Sequence, residues 1–153
     1  MAKLFNLVQP EITYFGQKDA QQARSIRQMT EDLNFDLRVK VLPTVREPDG
    51  LAMSSRNKLL SSNSRRSSRI LFEALQQGRR LIECGERRRS VVERRMQQVI
   101  RQIPKAKIDY AVIVDAETFE QVNRIRGTVQ MVLAVWLGPV RLIDEMILCT
   151  EQS

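Results

Sequence analysis

Three consecutive residues, Ser54-Ser55-Arg56, offer two hydroxyls and a guanidinium directly after the stretch Val45-Arg46-Glu47-Pro48-Asp49-Gly50-Leu51-Ala52-Met53. Side chains of these types can donate several hydrogen bonds to phosphate oxygens, and the planar arginine fork can take two of them at once. Upstream, Phe15-Gly16-Gln17-Lys18-Asp19-Ala20-Gln21-Gln22 sets an ammonium where an apolar run ends and a helical pattern begins. Open α/β sheets bind ligands outside the carboxyl ends of their strands, and Lys18 is a point charge suited to phosphate at such an end. Each pattern also has a plainer explanation. Asp19 with Gln22 three residues on matches a capping box, one serine can cap a short turn at 57–60, and Met53 can be packing. Lys18 and Arg56 can be solvated surface cations. Taken together, the two segments point to an enzyme that handles a nucleotide.

The elements that must position these groups follow from hydrophobic spacing. Residues 12–15 read as a short buried strand ending at Gly16, residues 20–33 carry helical spacing through Ala23, Ile26, Arg27 and Met29, and residues 37–42 read as a second strand. Strand, helix, strand predicts a parallel crossover in an α/β layer, and so few strands look like a piece of a larger sheet. Pro43 and Pro48-Asp49-Gly50 punctuate the chain, the latter a turn that marks a domain boundary and could serve as a hinge. Beyond it, residues 62–84 place Ile70, Leu71, Ala74, Leu75, Leu81 and Ile82 on one helical stripe that stops at Gly85. Ser90 is the expected cap of a second helix, with Val92, Met96, Val99 and Ile103 as its buried face. Residues 108–114, 129–137 and 140–148 are strand-like, with Gly138-Pro139 as a tight antiparallel hairpin turn. The domain division expected is 1–44 and 45–153, an α/β part followed by an α+β part of two helices and a three-stranded antiparallel sheet.

Composition bounds the function. The 153 residues carry a formal charge of +7, which suits a phosphorylated ligand or a nucleic acid. Most of the excess is arginine between positions 65 and 95, interspersed with glutamates and without aromatic interleaving for base stacking, so a solvated helical face is the simpler reading than a nucleic-acid patch. With no histidine in the chain, any imidazole a reaction needs must come from elsewhere. Cys84 and Cys149 are far apart and read as reduced thiols, neither a metal site nor a required disulfide. No apolar run approaches the ~20 residues that cross a bilayer, and the first residues do not read as a signal peptide, so a cytoplasmic location is expected.

Lys3-Leu4-Phe5-Asn6-Leu7-Val8-Gln9-Pro10, the segment 15–22 and the segment 45–57 closely resemble the pantothenate synthetase family, the pantoate and β-alanine ligases. The similarity runs over nearly the whole chain, strongest over 3–60 and again in the final hairpin. It implies a remnant of a Rossmann-like nucleotidyltransferase domain over 1–44, which binds ATP and pantoate, followed by a lid domain over 45–153. The reaction implied is an ATP-dependent condensation of pantoate and β-alanine through a pantoyl adenylate. On the matching positions, Lys18, Ser54, Ser55 and Arg56 would do the catalytic work on phosphate, Gly16 and Asp19 would hold the ribose, Val45 and Met53 would flank adenine, and Gln22 would bind pantoate. Ser54, Ser55 and Arg56 resemble the KMSKS-type loop of that superfamily. The family's His-x-Gly-His motif and its Mg2+ ligands have no counterpart here. The chain is therefore expected to be the C-terminal half, needing a missing N-terminal half or an oligomeric partner and catalysing little alone. An arginine-rich nucleic-acid-binding or assembly module derived from the same fold is the alternative.

Overall fold

A parallel pair of strands opens the chain in the computed structural model, which describes residues 1–150. After helix α1 (Ala2–Val8), strand β1 (Ile12–Gly16) leads through a 3-10 turn (Gln17–Asp19) into helix α2 (Ala20–Asp32), and strand β2 (Arg38–Leu42) returns beside β1. The register runs from Ile12 opposite Arg38 to Gly16 opposite Leu42, all parallel. β-Branched and aromatic residues favour the extended pleat in both strands. On α2, Ala23, Ile26 and Thr30 are buried at helical spacing, and Thr30 turns its hydroxyl back to the Ile26 carbonyl at 2.7 Å. Phe5 of α1 meets Phe35 edge to face, with centroids 5.6 Å apart. Contrary to expectation, β1 is not buried: its residues alternate between half-buried and exposed, because it has a single neighbouring strand and its crossover helix covers only part of it.

The chain divides into two compact units, Met1–Thr44 and a second beginning at Val45. In the second, residues 46–52 form a small hairpin, followed by a 3-10 helix (Ser55–Leu59), helices α3 (Ser62–Ser67), α4 (Ile70–Glu83) and α5 (Arg89–Ile100), and strands β3 (Ala106–Asp115), β4 (Thr128–Leu137) and β5 (Val140–Cys149). The sheet is antiparallel in the order β3-β4-β5, with a bulge between Ile108 and Tyr110. α4 and α5 pack on each other and on one face of this sheet, burying Leu71, Leu75, Met96, Ile100, Met131 and Leu133. Gly78 permits the close approach, since a Cβ there would stand 2.7 Å from the Met131 sulfur. Gly138 (φ 63) and Pro139 join β4 to β5 in the tight turn that the sequence predicts.

Three local expectations need correction. Ile103, expected on the buried face of the second helix, lies beyond its end at Ile100 and is only half-buried. The single helix over 62–84 is broken into α3 and α4 at Ser68-Arg69, where the Ser68 hydroxyl bonds the Arg65 carbonyl at 2.7 Å and competes with helix continuation. Ser90 does not cap α5. It lies inside the helix, whose N-cap is Arg88, and the carboxylate of Glu86 takes up the amides of Arg87 and Arg88 at 3.0 and 2.8 Å. The Arg88 guanidinium, and after it the two amides, draw the Glu86 carboxyl down to about 2. Cys84 and Cys149 are both free thiols.

Candidate functional site

In the first unit the proposed ligands gather at the carboxyl end of the parallel pair. Gly16 closes β1 in extended backbone, Lys18 and Asp19 occupy the 3-10 turn, and Gln22 lies in the first turn of α2. Lys18 is half-buried, while Gly16, Asp19 and Gln22 are exposed. The capping box that would have explained Asp19 and Gln22 does not form: Asp19 has φ −93 and ψ 57 and makes no side-chain cap bond to α2. Its carboxylate is thus not taken up by helix initiation.

In the second unit the hairpin of 46–52 presents the Ser-Ser-Arg segment. Backbone bonds from Glu47 to Leu51, Gly50 to Glu47 and Met53 to Val45, each 2.8 to 2.9 Å, close it, and Gly50 takes a φ of 90 that favours glycine. Val45 and Met53 are therefore brought together. Met53 is 56 % exposed and Val45 66 %, which removes core packing as the explanation of Met53. The Ser54 hydroxyl accepts from the Arg56 amide at 3.2 Å and caps the 3-10 helix, as its plainer reading required. Ser55 and Arg56 are exposed, and no hydrogen bond or ion pair of the Arg56 guanidinium is found among the described residues.

The framework beneath this segment was not read from the sequence. Arg46 donates to both oxygens of Asp144 at 2.8 and 2.9 Å and to the carbonyls of Gly50 and Glu145, and its guanidinium stands 4.4 Å from the centroid of the Phe72 ring. Burial pushes the Asp144 carboxyl up, and Arg46 pulls it back. Asn57 donates to Glu47 at 2.7 Å and to the Ala52 carbonyl at 3.2 Å, while Arg65 of α3 clasps the other Glu47 oxygen and reaches Asp49 at 2.5 Å. These partners hold the Glu47 carboxyl below its usual range, Asn57 contributing most, and Arg65 does the same for Asp49. The Pro48-Asp49-Gly50 turn is thus fixed within the second unit by Arg65. The only sequence signal for these contacts was the density of charged and amide residues around the motif.

Elsewhere the arginine excess is laced with acid partners: Arg69 with Glu73, Arg79 with Glu83, Arg88 with Glu86 and Arg89 with Glu93. Among the described residues no group of three or more His, Cys, Asp or Glu could hold a metal ion, and no helix is long and apolar enough to cross a membrane.

A family model described as Pantoate-beta-alanine ligase matches residues 1–147. The pantothenate synthetase of Moorella thermoacetica is 51 % identical over 148 residues, covering 97 % of this chain and 52 % of that protein. The enzyme of Caldicellulosiruptor saccharolyticus is 48 % identical over 145 residues, covering 95 % of this chain and 52 % of that one. Among solved structures, pantothenate synthetase from Thermus thermophilus superimposes with a TM-score of 0.91 at 38 % identity, over 95 % of this chain and 52 % of that chain. The pantoate-beta-alanine ligase of Francisella tularensis, solved with βγ-ATP and β-alanine, gives a TM-score of 0.66 at 28 % identity, over 95 % of this chain and 47 % of that one. The chain spans about half the length of the curated relatives it matches. With an α/β unit, a small antiparallel sheet and this match along 147 residues, the chain belongs to the pantoate-β-alanine ligase family.

Proposed function

We propose that this chain supplies the C-terminal half of a pantothenate synthetase, and that it works in ATP-dependent condensation of pantoate with β-alanine only when a histidine-bearing N-terminal half completes it. In the first step a pantoate carboxylate oxygen bonds to the α-phosphorus of ATP and pyrophosphate leaves. In the second the amine of β-alanine attacks the acyl carbon, loses a proton, and AMP departs with the bridging oxygen. Lys18 and the Ser54-Ser55-Arg56 segment bind and neutralise the phosphates, the electrostatic work that dominates such transfers. Gly16 and Asp19 hold the ribose, Val45 and Met53 flank the adenine, and Gln22 binds pantoate. Mg2+ ligands would come from that N-terminal half. Residues 1–44 serve as the nucleotide domain and the second unit as its lid.

One observation carries this reading. Arg56 stands exposed and uncommitted on a segment whose supporting residues are tied down by ion pairs, whereas the neighbouring Arg46 and Arg65 are both consumed structurally. A cation kept unpartnered on a firm platform is suited to an anionic ligand. The glutamate partners along α4 and α5 favour solvated helical faces over a nucleic-acid surface.

The test is reconstitution. Mixed with the histidine-bearing half of a related enzyme, the chain should form AMP only when both pantoate and β-alanine are present. Lys18→Ala and Arg56→Ala should each lower that rate roughly tenfold to a hundredfold, the usual range for one charge-assisted contact. Turnover in the parent mixture that survives both substitutions would refute the assignment.

A further inference from the structure

We infer that Asn57 and Glu47 are positioning residues that hold the Ser54-Ser55-Arg56 segment in its phosphate-accepting form, an inference that rests on the assignment of that segment to phosphate made above. A short 3-10 helix has poor internal hydrogen-bond geometry and little stability of its own. Here it spans Ser55–Leu59, buries no residue completely, and has the single serine cap described above. It packs against β5, and its polar tie to the hairpin is the Asn57 amide, which spends both of its N–H groups there, one on Glu47 and one on the Ala52 carbonyl. Glu47 is held in turn from α3 by Arg65, so one carboxylate joins hairpin, segment and helix.

The orientation of that amide carries the inference further. Its oxygen, Oδ1, is buried without a hydrogen-bond partner. Turning the amide over would satisfy nothing, because the oxygen would then face the Glu47 carboxylate. The orphaned acceptor is the consequence of using both donors to fix the residue next to Arg56. The charged groups facing Glu47 are Arg65, which attracts it, and Asp49, which repels it.

Asn57→Asp tests this with little change in shape, because it replaces the donor by an acceptor opposite Glu47. Hydrogen exchange and ATP titration of the whole chain are compared with the parent at pH 7.5 and at pH 5. At pH 7.5 the variant should bind ATP at least about tenfold more weakly than the parent, and its amides at 53–57 should exchange about tenfold faster while those of α5 and β4 are unchanged. Two facing carboxylates raise the affinity of one of them for a proton. At pH 5 the new carboxyl is therefore protonated enough to donate to Glu47, and the deficit against the parent should shrink to within about threefold. That recovery is not expected of a residue that merely packs. Parent-like binding and exchange at pH 7.5, or a deficit equal at both pH values, would overturn the inference. If Arg56→Ala weakens ATP binding while Asn57→Asp does not, positioning alone is wrong. If Arg56→Ala binds ATP like the parent, the phosphate assignment falls and the inference with it. Should Asn57→Asp not fold, Glu47→Gln decides: exchange at 53–57 accelerated at least threefold supports positioning, and unchanged exchange refutes it.

Discussion

At the scale of single residues, the pair Arg46 and Asp144 decides more for the stability of the second unit than any group in the exposed Ser54-Ser55-Arg56 segment. The Asp144 side chain is 1 % exposed, so its charge is tolerable only with the bidentate guanidinium in place. Arg46→Ala leaves that carboxylate buried and alone, and should destabilise the second unit by roughly 3–5 kcal/mol in chemical denaturation at pH 7. The sign of the pH dependence follows. Burial raises the Asp144 pKa in the folded chain, so the folded state binds the proton more tightly and stability falls as pH climbs through the window above the ordinary value of 3.8. Removing Arg46 raises it further. The loss in Arg46→Ala should therefore be smaller at pH 4 than at pH 7. The serines, the arginine and the lysine stood out by type, but alone each fitted a capped turn or a solvated cation equally well, and roles came only from the family resemblance of the segments that carry them. The pair behind it was not, since its members lie 98 residues apart and nothing in either neighbourhood points to the other.

At the scale of elements, caps and turns diverged most from expectation. All five strands and the helices α2, α4 and α5 follow from hydrophobic spacing, including the parallel crossover and the Gly138-Pro139 hairpin. Spacing does not reveal how the chain enters a helix, so Ser90 was expected to cap α5, which has no side-chain cap and is preceded by amides bound to Glu86, and the hydroxyl of Ser68 broke a run whose apolar stripe looked continuous. The Glu86 assignment is testable through acid unfolding. A carboxyl drawn from 4.5 to about 2 contributes stability that is present above its unfolded value and lost as pH falls through the folded one. Melting temperature between pH 4.5 and pH 2 should fall less steeply in Glu86→Gln than in the parent. The turn beneath the motif offers a second check. A Cβ at Gly50 would sit 2.2 Å from Phe72 Cδ1 and demand a φ of 90, so Gly50→Ala should cost about 1–3 kcal/mol and loosen the Phe72 ring against Arg46.

At the scale of the whole molecule the two units differ in how far each supports itself. The contiguous core lies wholly within the second, from Leu51 to Leu142, whereas the first buries only Phe5, Ala23, Ile26 and Thr30. A unit this small buries too little apolar surface to offset chain entropy. Residues 45–153 made alone should melt cooperatively by circular dichroism, and residues 1–44 made alone should give no cooperative transition. Arg46 is also among the first residues of its unit to be synthesised, while Asp144 follows 98 residues later. At ribosomal speeds of about 5–20 residues per second, the hairpin waits on the order of 5 to 20 seconds for its anchor. The motif's platform is thus completed only once β5 has been made, and a chain interrupted before β5 would keep the Asn57 and Arg65 contacts to Glu47 but lack the Asp144 carboxylate that anchors Arg46.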